Sequence, residues 1–147
     1  MRTTSVPLGD EASFMYAVDA AASLALARFE GGLTGVDIRR AVAVVHADPA
    51  WRPSFDAIWD WRRVRAHIVS PEEVPPLVAE VVEGQTGRDA LVEPETLSEN
   101  FFSEMLTRML RAAGKEAALF RTVEDALGAF GHDMLPAGLD LDVAAPE

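Results

Sequence analysis

Between residues 13 and 30, apolar positions alternate with polar or small ones. The alternating side chains are Phe14, Tyr16, Val18, Leu24 and Leu26. A period of two residues is typical of β-strands, because successive side chains point to opposite faces of a sheet. The segment therefore predicts two antiparallel strands joined near Asp19–Ser23, and the glycines of "GGL" at 31–33 are predicted to end the second strand.

A helical spacing follows the glycines. Thr34 and Asp37 stand three residues apart, as the cap and the acid of a capping box do. Apolar residues continue on one face of this predicted helix at Ile38, Ala41, Val42 and Val45. Pro49 and Pro53 cannot continue a helix, so "ADPAWRP" is predicted to end it, and Phe55–Trp61 is predicted to be the next strand.

The stretch "AIWDWRRVRAHIVSPEEVPP", residues 57–76, crowds aromatic, basic and acidic residues together. Its last part, "SPEE" at 70–73, is a helix-start pattern with a capping serine, a proline at the first helical position and acids in the first turn. Pro75 and Pro76 predict a kinked start, or a restart near Pro76. Residues 62–70 are then predicted to be a basic loop between a strand and a helix.

The second half of the chain repeats the alternation of strand and helix. "RDALVEP" predicts a short buried strand, residues 97–113 the clearest helix, "EAALF" the last strand, and residues 122–131 a final short helix. The apolar stripe of the long helix is Phe101, Phe102, Met105, Leu106, Met109, Leu110 and Ala113. The order β-β-α-β-α-β-α-β-α predicts a single α/β domain with a mixed β-sheet, in which an N-terminal antiparallel hairpin precedes alternating helices and strands.

The chain length of 147 residues fits one domain. We assign residues 13–131 to the α/β domain and residues 1–12 to an N-terminal extension. Residues 132–147 carry four acids, two prolines and no basic residue. They are predicted to be an acidic, loosely held tail.

Composition excludes several classes of function. The chain has no cysteine, which excludes thiolate zinc sites, thiol nucleophiles and disulfides. Its net charge of −11 opposes binding to nucleic acid. No apolar run approaches the roughly 20 residues of a membrane span, and the N-terminus lacks the apolar region of a secretory signal. We expect a cytoplasmic protein with no nucleic-acid or membrane partner.

No motif for a cofactor or metal is present. His46, His67 and His132 are far apart in the sequence, and none has a carboxylate or histidine at ligand spacing. Phosphate-loop, dinucleotide and nucleophile-elbow motifs are absent. We therefore expect no cofactor and no metal.

Four segments carry a resemblance to a known family. They are "FEGGLTGVDIRRAV", "ADPAWRPSFDAIWDWRRV", "SPEEVPPLVAEVV" and "ALFRTVEDALGAF". Together they resemble the STAS-like (SpoIIAA-related) family of small bacterial proteins over roughly residues 13–131. The resemblance implies a binding or regulatory module more than a catalyst. In the anti-sigma-factor antagonists of the family, a phosphorylated serine starts a helix within an Asp-Ser-Ser/Thr-Gly/Ala element. The nearest position in this sequence is Ser70, in the context "VSPE".

The candidate residues for contact with a ligand or a partner are Arg62, Arg63, Arg65, His67 and Ser70. The three arginines could bind an anion at the start of the following helix, pair with Glu72 and Glu73, or face water. The hydroxyl of Ser70 is interpreted as a helix cap, with a phosphoacceptor or a partner contact as the functional alternative.

Trp59, Asp60 and Trp61 alternate on the predicted strand. The two indoles therefore share one face, and we expect them in the core. The side chain of Asp60 points the other way. A carboxylate bound to a backbone amide or an arginine is favoured over a general base with a raised pKa.

Three hypotheses of function remain open. The first is a non-enzymatic STAS-like regulatory or protein-interaction module with a regulatory protein partner. The second is a carrier of a small apolar or anionic ligand, held between the sheet and helix 97–113. The third is an enzyme of unrecognised type that uses Asp60 or His67. A homodimer is also considered, because Trp and Met side chains that the core does not need could form an apolar dimer contact.

Overall fold

The described residues fold as one six-stranded sheet with four α-helices. The computed structural model describes residues 3–9, 11–93 and 97–141, with the backbone alone for residues 67, 68 and 97–101. The strands are β1 Thr4–Pro7, β2 Ala12–Asp19, β3 Leu24–Thr34, β4 Asp56–Ile68, β5 Asp89–Val92 and β6 Ala117–Phe120. The α-helices are α1 Gly35–His46, α2 Val74–Gly84, α3 Leu97–Ala112 and α4 Val123–Ala129. Two 3₁₀ turns cover Pro71–Glu73 and Ala137–Leu139.

The strands lie side by side in the order in which they occur in the chain. β1 and β2 pair antiparallel, β2 and β3 pair antiparallel, and β3, β4, β5 and β6 run parallel. The mixed sheet confirms the predicted fold class. The hairpin between β2 and β3 turns where the sequence predicts it, with Ser23 at a positive φ of 54°.

The helices α1, α2 and α3 cover one face of the sheet. Because β3 to β6 follow one another in a single direction, right-handed crossovers place all three connecting helices on the same side. The core beneath them contains Phe102, Leu106 and Leu110 of the predicted α3 stripe and a run of stacked aromatic rings. Ala113 of the stripe is exposed, and the side chain of Phe101 lies outside the described residues. Phe14 lies 5.7 Å from Phe29, and Phe29 lies 4.2 Å from Trp61, between ring centroids. The prediction that the tryptophans pack in the core is confirmed, because Trp59 and Trp61 are both buried.

The other face of the sheet is covered by α4 and by residues 136–141, which we call the C-terminal segment. Its Leu139 and Leu141 are 0% and 3% exposed and belong to a second apolar cluster with Leu26 and Ile58. The sequence predicts a loosely held tail here, but these leucines are buried. The physical reason is that a parallel sheet needs cover on both faces, and α4 has only seven residues.

Three strands extend further than the sequence predicts. Residues 4–7, assigned to an extension, form β1 and pair with residues 13–16. β3 continues through the predicted break at "GGL". Gly31 allows this because it has a φ of +90° and because a Cβ there would lie 1.9 Å from the carbonyl oxygen of Glu11.

β4 differs most from its prediction, since it runs to Ile68 and not to Trp61. The predicted basic loop over residues 62–70 is therefore wrong for residues 62–68. They pair with Glu30–Thr34 of β3, with register shifts on both sides of the Glu30–Gly31 pairs. The polar side chains hid this strand from the hydrophobic pattern, because this end of the sheet lies near solvent.

Candidate functional site

The candidate residues lie where β3 and β4 project beyond the rest of the sheet. β5 pairs with β4 only along Ala57–Asp60, so the second half of β4 has β3 as its strand neighbour in the described part of the chain. This projecting pair leads directly into the starts of α1 and α2. The five candidates are therefore spread along one strand and one helix start. The structure describes four of their side chains, which form three groups: Arg62, then Arg63 with Arg65, then Ser70.

Arg62 binds a neighbour on its own strand. Its Nε and Nη2 donate hydrogen bonds of 2.9 Å each to the two carboxylate oxygens of Asp60, and its backbone N–H donates to the same carboxylate at 3.1 Å. Asp60 is only 2% exposed. The interpretation of Asp60 as a carboxylate bound to an arginine and a backbone amide is confirmed. Both side chains line a cavity on the face of the sheet covered by the C-terminal segment.

Arg63 and Arg65 carry their charges at the surface. The guanidinium of Arg63 donates to Glu30 on β3 at 2.9 Å, with the two side chains 52% and 43% exposed. Arg65 lies 3.8 Å from the carboxylate of Glu11, and both are exposed. The predicted pairing of the arginines with Glu72 and Glu73 is not among these contacts. Exposed ion pairs of this kind contribute little to the free energy of folding. Solvent or a partner can therefore readily replace either side chain of the pair.

Ser70 lies at the N-cap position of the helix start, and Glu73 reaches back to it. Its backbone N–H donates to Glu73 Oε1 at 2.9 Å, its hydroxyl donates to the same oxygen at 3.0 Å, and its carbonyl accepts from the Glu73 N–H at 3.0 Å. The first turn, Pro71–Glu73, is a 3₁₀ turn, and the α-helix begins at Val74. The α-helix therefore begins just before Pro75 and Pro76, which lie in its first turn. The side chain of His67 lies outside the described residues.

The carboxylate of Glu73 also connects the two helix starts, a link that the sequence analysis missed. A Cβ on Gly35, the first residue of α1, would lie 2.5 Å from Glu73 Oε2, so only glycine leaves room for the carboxylate. Hydrogen bonds from Ser70 and from the backbone of Val36 lower the pKa of Glu73. Two helix N-termini therefore share one negative charge, as the helix dipole favours.

Val36 is the second feature missed from the sequence. It lies in the first turn of α1, directly after Gly35, and it is 68% exposed. The other large hydrophobic residues exposed in the described part of the chain are Met134 and Leu135, which precede the C-terminal segment. A valine in this position is visible in the sequence only as one apolar residue outside the helical stripe.

Burial shifts the pKa values of Asp89 and His46 at the opposite end of the sheet, where the parallel strands begin. Burial raises the pKa of Asp89, against the opposing effect of Lys115, and burial lowers the pKa of His46 to about 4. The Lys115 ammonium lies 3.1 Å from Asp89 Oδ2 and also donates to the carbonyl oxygens of Gln85 and Gly87. Trp59 Nε1 donates to Asp89 Oδ1 at 2.9 Å. This network is buried and held by an ion pair, so we assign it to the stability of the fold.

The space between the sheet and α3 is almost filled. The cavity there has a volume of about 10 Å³ and is lined by apolar residues of β4, β5 and the three helices. A drug-sized ligand needs roughly 300 Å³ or more. The described residues therefore do not provide the pocket that the small-ligand hypothesis requires at this position.

The described residues also lack a metal-binding cluster and a membrane-spanning helix. They contain no cluster of three or more His, Asp or Glu side chains arranged to hold a metal ion. None of the helices in the described ranges combines the length and the apolar character needed to cross a bilayer.

Comparison with known proteins identifies a similar fold. No family model matches the chain, and no curated protein does. Among solved structures, the chain is similar to the anti-sigma factor antagonist SpoIIAA in its unphosphorylated form, with 19% identity and a TM-score of 0.42 over 74% of this chain and 89% of that one. It is also similar to the Bacillus cell fate determinant SpoIIAA in the phosphorylated form, with 16% identity and a TM-score of 0.43 over 87% of this chain and 98% of that one.

A third similar structure is an uncharacterized protein of the DUF3478 family with a SpoIIAA-like fold from Shewanella loihica PV-4. The identity is 16% and the TM-score is 0.48, over 86% of this chain and 90% of that one.

Proposed function

We propose that this protein is a non-enzymatic regulatory module that acts by binding another protein in the cytoplasm. The contact surface is formed by Val36, Ser70 and Glu73, which we call the helix-start surface, together with the arginines of β4 that lead into it. The observation that carries the proposal is the exposure of Val36 beside a charged and hydrogen-bonded pair of helix starts. A partner could bury the Val36 side chain while the polar groups around it form the rim of the contact.

The charges around Val36 support a protein partner. Arg63 and Arg65 are held only by exposed carboxylates, so a partner can replace those contacts at small cost. The Glu73 carboxylate is fixed by Ser70 and by the start of α1, and it offers a preorganised acceptor at the surface. Fixed polar groups around an apolar centre favour specificity in binding.

The contact of Ser70 with Glu73 bears on regulation. A phosphate on Ser70 would place a second negative group where the hydroxyl now donates to a carboxylate at 3.0 Å. Like charges at that distance repel, so the modification would release Glu73 from the cap. We propose that Ser70 acts as a cap and a contact residue in the unmodified protein, and that a negative charge there weakens partner binding.

Photo-crosslinking tests the proposed surface. A benzophenone amino acid is placed at position 36 of the tagged protein in its native host, and at position 134 as a matched control, since Met134 is equally exposed on a different part of the molecule. We expect a discrete crosslinked protein from position 36 that is absent from position 134 and is reduced at least fivefold by Ser70→Asp. Equal adducts from both positions, or an adduct that Ser70→Asp leaves unchanged, would contradict the proposal.

A further inference from the structure

The exposed side of α1 carries positive charge directly beside Val36. A helix turns by about 100° per residue, so residues three, four and seven positions apart lie on one side of it. Counted from Val36, these residues are Arg39, Arg40 and Ala43, and all four are exposed. The buried stripe that contains Ile38 lies on the opposite side. We call the four exposed residues the outer stripe of α1, which contains two arginines and no acid.

The two arginines of the outer stripe have no partner in the part of the chain that the structure describes. Neither Arg39 nor Arg40 forms an ion pair or a side-chain hydrogen bond there. The other described arginines, apart from Arg108 on α3, all interact with a neighbouring group. The chain has 24 acidic and 13 basic residues, so these two cations remain unpaired although acids are in excess.

The acids nearest to the outer stripe along the helix starts are bound to other groups. Asp37 precedes Arg40 by three residues, a spacing that permits an ion pair on a helix. Its carboxylate instead accepts the N–H of Thr34 at 3.0 Å within the capping box. The carboxylate of Glu73 is held by Ser70. The two guanidinium groups are therefore available to carboxylates of a binding partner.

We propose, on the basis of the function proposed above, that the outer stripe of α1 binds an acidic segment of the partner protein. An apolar side chain of that segment covers Val36, and its carboxylates bind Arg39 and Arg40. A guanidinium binds a carboxylate through two parallel hydrogen bonds, which fix the direction of approach as well as the affinity. The contact thus extends the helix-start surface along two turns of α1.

The charge on the rest of the chain restricts where an acidic segment can bind. A net charge of −11 repels such a segment from most other positions, which favours specificity. At physiological ionic strength charges are screened over about 8 Å, so the local arginines decide the contact itself. A nucleic acid is disfavoured, because its phosphates extend far beyond the two arginines and meet the acidic remainder of the surface.

Charge reversal in the photo-crosslinking experiment tests the acidic partner. The benzophenone amino acid stays at position 36 of the tagged full-length protein in its native host. Arg40→Glu is compared with Arg108→Glu, since Arg108 is an exposed helical arginine that also lacks a described partner. We expect the adduct to decrease at least threefold for Arg40→Glu and at least tenfold for Arg39→Glu/Arg40→Glu, but less than twofold for Arg108→Glu. Arg39→Lys/Arg40→Lys keeps the charge and should retain more adduct than the double reversal.

Mass spectrometry of the adduct then gives the sequence of the crosslinked segment. At least two acids within four residues of the crosslinked position support the proposal. A neutral or basic segment, or a product that nuclease treatment removes, would overturn it.

The same experiment separates this proposal from the proposed function. A specific adduct from position 36 that is insensitive to the reversals overturns the acidic partner and leaves the helix-start surface standing. No specific adduct from the wild type overturns both. Glutamate and arginine have similar helix propensities, so melting by circular dichroism should be nearly unchanged in the variants. If the double reversal does not fold, Arg39→Gln/Arg40→Gln decides, with at least a threefold decrease expected and an unchanged adduct contradicting the proposal.

Discussion

The two ends of the parallel sheet use charge in opposite ways. At the amino ends of β4 and β5, Lys115 and Asp89 form an ion pair with side chains 6% and 0% exposed. At the carboxyl ends of β3 and β4, Glu30 and Arg63 form a pair of similar length whose side chains are about half exposed. Similar N–O distances thus serve different purposes. The buried pair fixes loops to the core, whereas the exposed pair remains available for exchange.

Aromatic and polar groups reinforce the amino end. His46 stacks on Trp51 with ring centroids 5.1 Å apart, and Trp51 Nε1 donates to the carbonyl of Gly84 at 3.2 Å. The Tyr16 hydroxyl donates to Asp48 at 2.9 Å, which joins the loop after α1 to β2. The carboxyl end adds helix caps and exposed ion pairs to the buried contact between Asp60 and Arg62. A rigid base that supports exposed, exchangeable ion pairs is the arrangement that the proposed binding function requires.

Replacing Lys115 by methionine should give the largest effect. It leaves the Asp89 carboxylate buried without its cation, and loss of one partner of a buried pair costs about 3–5 kcal/mol. Urea unfolding measures the change. The double variant Lys115→Met/Asp89→Asn should recover part of the loss, and equal stability of Lys115→Met and the wild type would show that the pair does not hold the amino end together.

At the same end of the sheet, protonation of His46 should lower the stability of the fold as the pH decreases. Burial lowers its folded pKa to about 4 from 6.5, so between these values the unfolded chain binds a proton that the folded chain does not. Stability is therefore lost as the pH falls from about 6.5 towards 4, by about 2 kcal/mol for a ring that is partly exposed. Thermal unfolding from pH 4 to 7 should show a shallower loss for His46→Gln than for the wild type. His132→Gln is the control and should follow the wild type.

Gly35→Ala should produce a smaller effect, at the carboxyl end. The new Cβ meets the Glu73 carboxylate and displaces it, which separates the two helix starts. We expect a melting temperature a few degrees lower and weaker crosslinking from position 36. Gly32→Ala is the matched control, because a Cβ there meets nothing within 4 Å. Identical melting of the two variants would mean that Glu73 does not join the helices.

Arg63→Met should have the smallest effect on folding. The exposed Glu30–Arg63 pair contributes less than about 1 kcal/mol, so the urea midpoint should stay close to that of the wild type. The same substitution type at Lys115 makes the comparison direct. If Arg63→Met lowered the free energy of unfolding as much as Lys115→Met does, the exposed and the buried ion pairs would not differ in their contribution to stability.

Local patterns in the sequence predicted much of this fold. The capping box of Thr34 and Asp37 forms as expected, with hydrogen bonds of 3.0 and 3.1 Å. The helix start at Ser70 and the turn at Asp19–Ser23 follow in the same way. Each of these depends on residues within a few positions of one another, which is why propensity and spacing suffice.

The remaining features depend on contacts between distant residues. The strand over Arg62–Ile68 is stabilised by pairing with β3, which a polar sequence does not reveal. The bond between Glu73 and the start of α1 joins positions more than thirty residues apart in the chain. The burial of Leu139 follows from an uncovered sheet face, which is a property of the assembled fold. The candidate arginines were found by composition, but their separation into buried and exposed pairs was not.

The burial of Lys115 has a practical consequence for anyone who labels this protein. It is the only lysine in the sequence, and its ammonium group lies against Asp89 in the core. Amine-reactive dyes and lysine-directed crosslinkers should therefore leave the side chains of the folded domain unmodified. The rate at which Lys115 becomes acylated then measures how often the amino end of the sheet opens. This single side chain can therefore report the rate of local unfolding.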